Sequence, residues 1–296
     1  MIEPVKDIPL RFAHEAMGTT FEVIVAGSDE KYAGQVSQAV FQEIDRLEML
    51  FSRFNTCSEI GQINRLKPGA AMSIGLETYE CLKTASLIRE ETGGAFDVNF
   101  RCPRKEESFE VFRAARGFGV KVRKSLLSSE EHGVDLDLGG IGKGYALDKA
   151  QDILRDWGVE RALLHGGTST ALAIGSAPGL SSGERGWPVG VGGIWALADV
   201  PKRLLLQERA LSGSGTEVKG RHIQDPRTDR PAATALGAWV SHPRAAVADA
   251  LSTAFMVMKP QDVRGYCEAH VQVWALLILD RGVYQTFNNG IFRRHP

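Results

Sequence analysis

Val36, Val40, Ile44, Leu47 and Phe51 recur at steps of three and four, which predicts a long amphipathic helix capped by Asp29. A second helix is expected from Leu76 to Glu91, stopped by Thr92-Gly93-Gly94. A third follows the glycine cluster after Asp137, with Leu147, Ala150, Leu154 and Trp157 on its apolar face and Gly158 as its stop. A fourth, over 245–258, is apolar and rich in small residues, with Pro243 near its first turn. Strand-like runs fall at 11–12 and 20–25 around Ala16-Met17-Gly18-Thr19, from Val134 to the glycines, and at 161–165, 171–175, 187–191 and 203–207. A hairpin of 273–279 and 283–287 across Asp280-Arg281-Gly282 closes the chain. Residues 211–216 read as a turn, and the charged run 101–123 as an exposed insertion or a degraded element. Helices and strands interleave irregularly, so the expected class is α+β with mixed or antiparallel sheets and packed helices.

Composition narrows the function classes. A formal net charge of −1 argues against nucleic-acid or membrane binding driven by bulk charge. Cys57, Cys81, Cys102 and Cys267 form no CxxC pair, which excludes zinc-ribbon and thioredoxin chemistry. Met1 to Asp7 has no basic region leading into an apolar run, and the strongest apolar stretch, near 274–279, is far too short to span a bilayer. The expectation as written is a cytoplasmic protein without a transmembrane segment, or a periplasmic or membrane-anchored one if a leader is missing.

The densest chemistry lies in Asp137-Leu138-Gly139-Gly140-Ile141-Gly142-Lys143-Gly144. A glycine turn feeding a helix offers backbone N–H groups that suit a phosphate, and Lys143 adds a cation. It is no P-loop, because Asp137 holds the first glycine position and Gly144 stands where Ser or Thr belongs. Tyr145 likewise breaks a dinucleotide fingerprint begun at Gly140. Asp137 would repel a bare phosphate, so a metal, or a ribose or base hydroxyl, reconciles the acid with the glycines. A tight connection with no ligand is the alternative. Asp249 and Thr253, four apart, put a carboxylate and a hydroxyl on one helix face, which suits Mg²⁺ or else a capped or solvent-facing pair. His222, just before Asp225-Pro226, is a candidate base at a strand end. His165 beside Gly166-Gly167 is the next. Gly167-Thr168-Ser169-Thr170-Ala171 fails the nucleophile-elbow pattern at its last position.

Taken in order, these segments resemble the ApbE-like FAD:protein FMN transferases. The matching pieces are Ala16-Met17-Gly18-Thr19, Phe51-Ser52-Arg53-Phe54 with Ser58-Glu59, and Gly94-Ala95-Phe96-Asp97. Then come the Asp137 stretch through Ala146 with Asp148, Gly166-Gly167, Ser212-Gly213, His222-Ile223 with Asp225-Pro226, and Ala248-Asp249-Ala250-Leu251-Ser252-Thr253-Ala254. The resemblance implies one ApbE-like (T-fold-like) domain over 1–296, core about 12–290, with a flavin cleft between two lobes. It implies Mg²⁺-dependent transfer of FMN from FAD to a Thr or Ser hydroxyl of an acceptor protein, releasing AMP. Alternatives are hydrolysis of FAD to FMN and AMP, or a flavin-binding protein without catalysis. Met17, Phe54, Ala95, Phe96, Asp97, Asp137, Lys143 and Ile223 would line the FAD site, with Asp249, Thr253 and the Gly140 carbonyl on the metal and His222 activating the acceptor hydroxyl. The chain departs from the family pattern at Thr168 (commonly Asp), Phe54 (often Tyr) and Asp229 (usually Gly).

Overall fold

The computed structural model describes residues 8–102, 108–123, 133–191, 203–216, 223–279, 283–288 and 292. Two strands open the chain, β1 (Leu10–Ala16) and β2 (Thr19–Val25), joined by a two-residue turn in which Met17 and Gly18 both take positive φ, 51° and 70°. Helix α1 (Glu30–Phe51) follows, its Asp29 cap accepting from the Tyr32 amide at 2.9 Å, with the predicted apolar face buried. Next come α2 (Glu59–Ile63), β3 (Ala71–Ile74), α3 (Leu76–Glu91), β4 (Phe109–Ala114) and β5 (Gly117–Val122). After α4 (Gly142–Asp156) stand β6 (Ala162–Gly166), β7 (Thr170–Ile174), β8 (Trp187–Gly190), β9 (Arg203–Leu206) and β10 (Arg209–Gly215). The chain continues through β11 (Gln224–Asp225), β12 (Arg230–Pro231), β13 (Gly237–His242), α5 (Ala245–Phe255), α6 (Pro260–Ala269), β14 (Trp274–Ile278) and β15 (Tyr284–Phe287).

The main sheet runs β1-β2-β6-β7-β10-β13-β14-β15, antiparallel at every pairing. Helices α1, α4 and α5 cover one face, where Val23, Val36, Ile44, Leu147, Leu172, Val240 and Leu251 share one buried cluster. The β8–β9 hairpin covers the other face, packing Trp187, Val189, Leu204 and Leu206 against Leu163, Ala173 and Leu276. A small sheet, β3-β5-β4, joins the first cluster through Ile74, Val120 and Val122, and Tyr79 of α3 stacks on Phe118 at 4.5 Å. The class is α+β with antiparallel sheets. Among the described residues no helix is long and apolar enough to cross a membrane.

Several sequence expectations change. Residues 211–216 are no turn: most of them extend strand β10, which finds ladder partners in both β7 and β13. Tertiary pairing there overrides the turn preference of Ser and Gly. Gly213 is required, since a Cβ would meet the Trp239 indole nitrogen at 2.6 Å. The run from Val134 is extended but joins no ladder. Its backbone is held by side chains and a loop instead: Leu136 N–H donates to Asn64 Oδ1 (2.7 Å), Asp135 N–H to Asn99 Oδ1 (2.9 Å) and Asp137 N–H to the Val98 carbonyl (2.8 Å). The run 101–123 contains the β4–β5 hairpin, whose Val120 and Val122 are fully buried. Trp157 is exposed at the end of α4, not on its buried face. Met1 to Asp7 and the 280–282 turn lie outside the described residues.

Candidate functional site

The row Phe21–Gly166–Thr170–Ser212–Val240 crosses the main sheet near one end. The Met17–Gly18 turn and the Gly167 turn project at that end, tied by the Gly167 amide donating to the Thr20 carbonyl at 3.0 Å. Over this end lie the start of α4 and the middle of α5. Their approach is very close. A Cβ at Gly144 would overlap the Ala245 carbonyl oxygen and come within 2.8 Å of the Ala246 Cα.

Each helix fills the other's N-terminal hydrogen-bonding needs. Asp148 on α4 accepts from the Ala245 and Ala246 amides of α5 at 2.6 and 3.0 Å, capping a helix whose own cap residue, Arg244, makes no side-chain cap bond. In return Asp249 on α5 accepts from the Gly144 amide of α4 at 3.1 Å. Burial pushes the Asp148 carboxyl up to about 6, against the two amide bonds and the nearby Arg244, which pull it down. The Gly144 amide is therefore already committed to a protein carboxylate, and those of Gly142 and Tyr145 to the Leu138 and Ile141 carbonyls, so the α4 N-terminus is not the fully open phosphate cradle that the glycines suggest.

Asp249 is 4% exposed and collects donors from three elements besides its own. Lys143 Nζ lies 3.3 Å from Oδ2, and Ser212 Oγ donates to Oδ1 at 3.2 Å. Thr170 Oγ1 stands 3.5 Å from Oδ1 and 2.9 Å from Ser212 Oγ. Ser214, two residues on along β10, lies 2.9 Å from Ser252 Oγ and 3.5 Å from Thr253 Oγ1. A ladder of hydroxyls from β7 and β10 thus floors the Asp249–Thr253 pair. The sequence reading gave these serines and Thr170 no role. Strand periodicity carries the signal, since Ser212 and Ser214 share one face once the segment is a strand.

Thr253 faces the glycine turn. A Cβ at Gly140 would sit 3.4 Å from Thr253 Oγ1 and 3.2 Å from the Phe96 ring. Ala95 and Phe96 are buried, and Phe96 and Thr253 both lie against Gly140. Asp137 pairs with Arg53 at 3.3 Å and accepts from the Gly139 amide at 2.9 Å. Phe54 is 85% exposed, with the Arg53 guanidinium 4.9 Å from its ring centre. Asp97 is engaged by Arg89 at 2.7 Å on a cleft of about 340 Å³ that Gly94, Pro226 and Arg227 also line. Ile223 is half-buried, its carbonyl accepting from the Ala232 amide at 2.8 Å; His222, beside it, lies outside the described residues. Asp229 takes φ 57°, the left-handed conformation natural to glycine and tolerated by Asp, so this departure keeps the turn.

Among the described residues no three His, Cys, Asp or Glu side chains cluster as a metal site. A divalent cation would find one carboxylate, one hydroxyl and a turn carbonyl, all oxygens, a hard and sparse set that suits Mg²⁺ with water or phosphate completing its shell. Lys143 Nζ, 3.0 Å from the Gly139 carbonyl and 3.3 Å from Asp249, already places a positive charge among such oxygens. The donor set fits.

Comparison with known proteins identifies the family. A family model described as the ApbE family matches residues 17–277. The FAD:protein FMN transferase of Treponema pallidum is 25% identical, over 75% of this chain and 70% of its own length. The crystal structure of the ApbE protein from Thermotoga maritima superposes with TM-score 0.77 at 26% identity, covering 97% of this chain and 100% of that one. The apo flavinyl transferase ApbE of Pseudomonas stutzeri gives 0.77 at 19% identity, covering 98% of each chain, a likeness of fold.

Proposed function

The chain belongs to the ApbE family and is a flavin transferase by that membership, and we propose that it splits FAD and carries the FMN half to an acceptor protein, releasing AMP. The acceptor group is a threonine or serine hydroxyl. The observation that carries the reading is the buried Asp249 one turn from Thr253, against a glycine turn and a lysine. An acid among glycines suits a diphosphate approached through Mg²⁺, not an anion bound directly to the helix end.

In this reading Met17, Phe54, Ala95, Phe96, Asp97, Asp137, Lys143 and Ile223 line the FAD site, and Asp249, Thr253 and the Gly140 carbonyl hold the metal. Held by these residues, Mg²⁺ would supply positive charge to offset the charge that develops on the phosphoryl group. Asp137, held by Arg53, addresses an uncharged part of FAD. The acceptor oxygen forms a bond to the flavin-side phosphorus as the bond from that phosphorus to the bridging oxygen breaks, and AMP leaves with the bridging oxygen. An imidazole nitrogen of His222 takes the hydroxyl proton, a task matched to histidine's ordinary range. The hydroxyls of Ser212 and Thr170 fix the Asp249 carboxylate, so little reorganisation is needed when substrate arrives.

A product assay tests the proposal. Protein is incubated with FAD and Mg²⁺, with and without EDTA and an acceptor, while AMP and free FMN are followed. AMP that requires both acceptor and Mg²⁺ is the expected result. Equal AMP and free FMN without acceptor means a hydrolase, and intact FAD throughout means a flavin-binding protein.

A further inference from the structure

Lys143 is the first-turn residue of α4, and its side chain folds back over the glycine turn. The ammonium rests on the Gly139 carbonyl (3.0 Å) and on Asp249 Oδ2 (3.3 Å), the oxygen that also receives the Gly144 amide. The pair is well shielded, Lys143 being 21% and Asp249 5% exposed at their side chains. A buried carboxylate with no cation beside it is costly, and Lys143 is the only cation paired with Asp249 among the described residues. Oδ2 has little room for a third strong partner, and a divalent ion there would stand within a few ångströms of the ammonium.

We propose that Lys143 is an internal stand-in for the metal, and that metal and lysine exchange on Asp249 as FAD binds. This rests on the reading of Asp249 as a metal ligand. The lysine has somewhere to go. FAD brings a diphosphate into the same site, and an ammonium on a flexible four-carbon stem can move from the carboxylate to a phosphate oxygen. Metal alone must displace the lysine with no second anion to receive it, so it binds weakly. Metal with FAD binds tightly, because the substrate draws the lysine off. The two ligands are then coupled, each raising the other's affinity by the same factor. The device keeps the buried acid neutralised in both states and favours assembly of the charged site on substrate.

The opposite role is equally definite: Lys143 could hold Asp249 in the metal-ready position, and its loss would then weaken metal binding. Mn²⁺ binding to the full-length protein, followed by electron paramagnetic resonance with Mg²⁺ competition, separates the two. Lys143→Met is expected to tighten Mn²⁺ binding without FAD by about tenfold or more, the effect of removing a charge at this range. It is also expected to shrink the factor by which FAD promotes Mn²⁺ binding. Lys143→Arg, which keeps the charge, is expected to stay near wild type, and thermal unfolding reports whether each variant is folded. Unchanged or weaker Mn²⁺ binding in folded Lys143→Met, with binding still lost in Asp249→Asn, overturns the exchange and leaves the metal reading standing. Mn²⁺ binding that is absent from every variant with or without FAD, or that survives Asp249→Asn, overturns both.

Discussion

Gly144→Ala is the substitution on which the helix crossing makes its sharpest demand. An added methyl would overlap the Ala245 carbonyl oxygen and stand 2.6 Å from its carbon and 2.8 Å from the Ala246 Cα. All three atoms are backbone, so no side chain can swing away, and α4 and α5 must part by about 1 Å to restore the 3.4–4 Å of ordinary contact. Parting weakens the Gly144 amide bond to Asp249 and the two amide bonds to Asp148 together. Overpacking costs about 1–3 kcal/mol. Loss of one hydrogen bond to a charged group costs about 1.5–3 kcal/mol more. Better helix propensity returns about 1 kcal/mol. The expected net loss is about 2–5 kcal/mol, read from urea unfolding followed by tryptophan fluorescence. Gly142→Ala is the internal control. Its methyl would meet Leu138 and Phe51 side chains at 3.6 and 3.8 Å, ordinary contact, and stability is expected to stay within about 1 kcal/mol of wild type. A Gly144→Ala protein as stable as wild type, or more so, would refute the close crossing.

Two further outcomes follow from the groups around Asp249. Asp148 has its carboxyl raised from 3.8 to about 6, so the native state binds the proton more tightly than the unfolded chain. That contribution to stability is present below about pH 4 and is lost as pH rises through about 6, roughly 3 kcal/mol at most. Asp148→Asn removes the titration, so wild-type stability is expected to fall relative to the variant's from pH 4 to pH 7 in paired denaturant titrations. Wild type that gains on the variant over that range contradicts the assignment. Ser212→Ala removes the nearer of two hydroxyl donors to Asp249 Oδ1 and is expected to cost about 1–3 kcal/mol and to slow FMN transfer, checked by unfolding and by initial rates. Wild-type rates in this variant would mean that the hydroxyl ladder does not orient the carboxylate.

The parts of the fold legible in the sequence are those whose own side chains decide them. The apolar period of α1 follows 22 residues of one helix against the sheet, and α3 ends at the Thr92-Gly93-Gly94 stop. What stayed hidden depends on partners distant in the chain. Strand β10 reads as a turn because Ser and Gly favour turns, yet β7 and β13 complete its ladders and Trp239 demands Gly213. The small sheet was masked by charges on its solvent face around Val120 and Val122. At the site, Asp249 and Thr253 were visible from a helical step of four. Their floor of Thr170, Ser212 and Ser214, and the exchange of caps between Asp148 and Asp249, exist only once two helices and two strands meet. Glycine spacing suggested an open phosphate cradle, and could not show that Asp249 already takes the Gly144 amide.

The most direct test of the account is the intact mass of a flavinylation acceptor after incubation with this protein, FAD and Mg²⁺, with AMP counted in the same reaction. One FMN added through a phosphoester for each AMP released is expected, and neither product when Asp249→Asn replaces wild type. An acceptor of unchanged mass while FAD is consumed, or an acceptor modified equally well by Asp249→Asn, would contradict it.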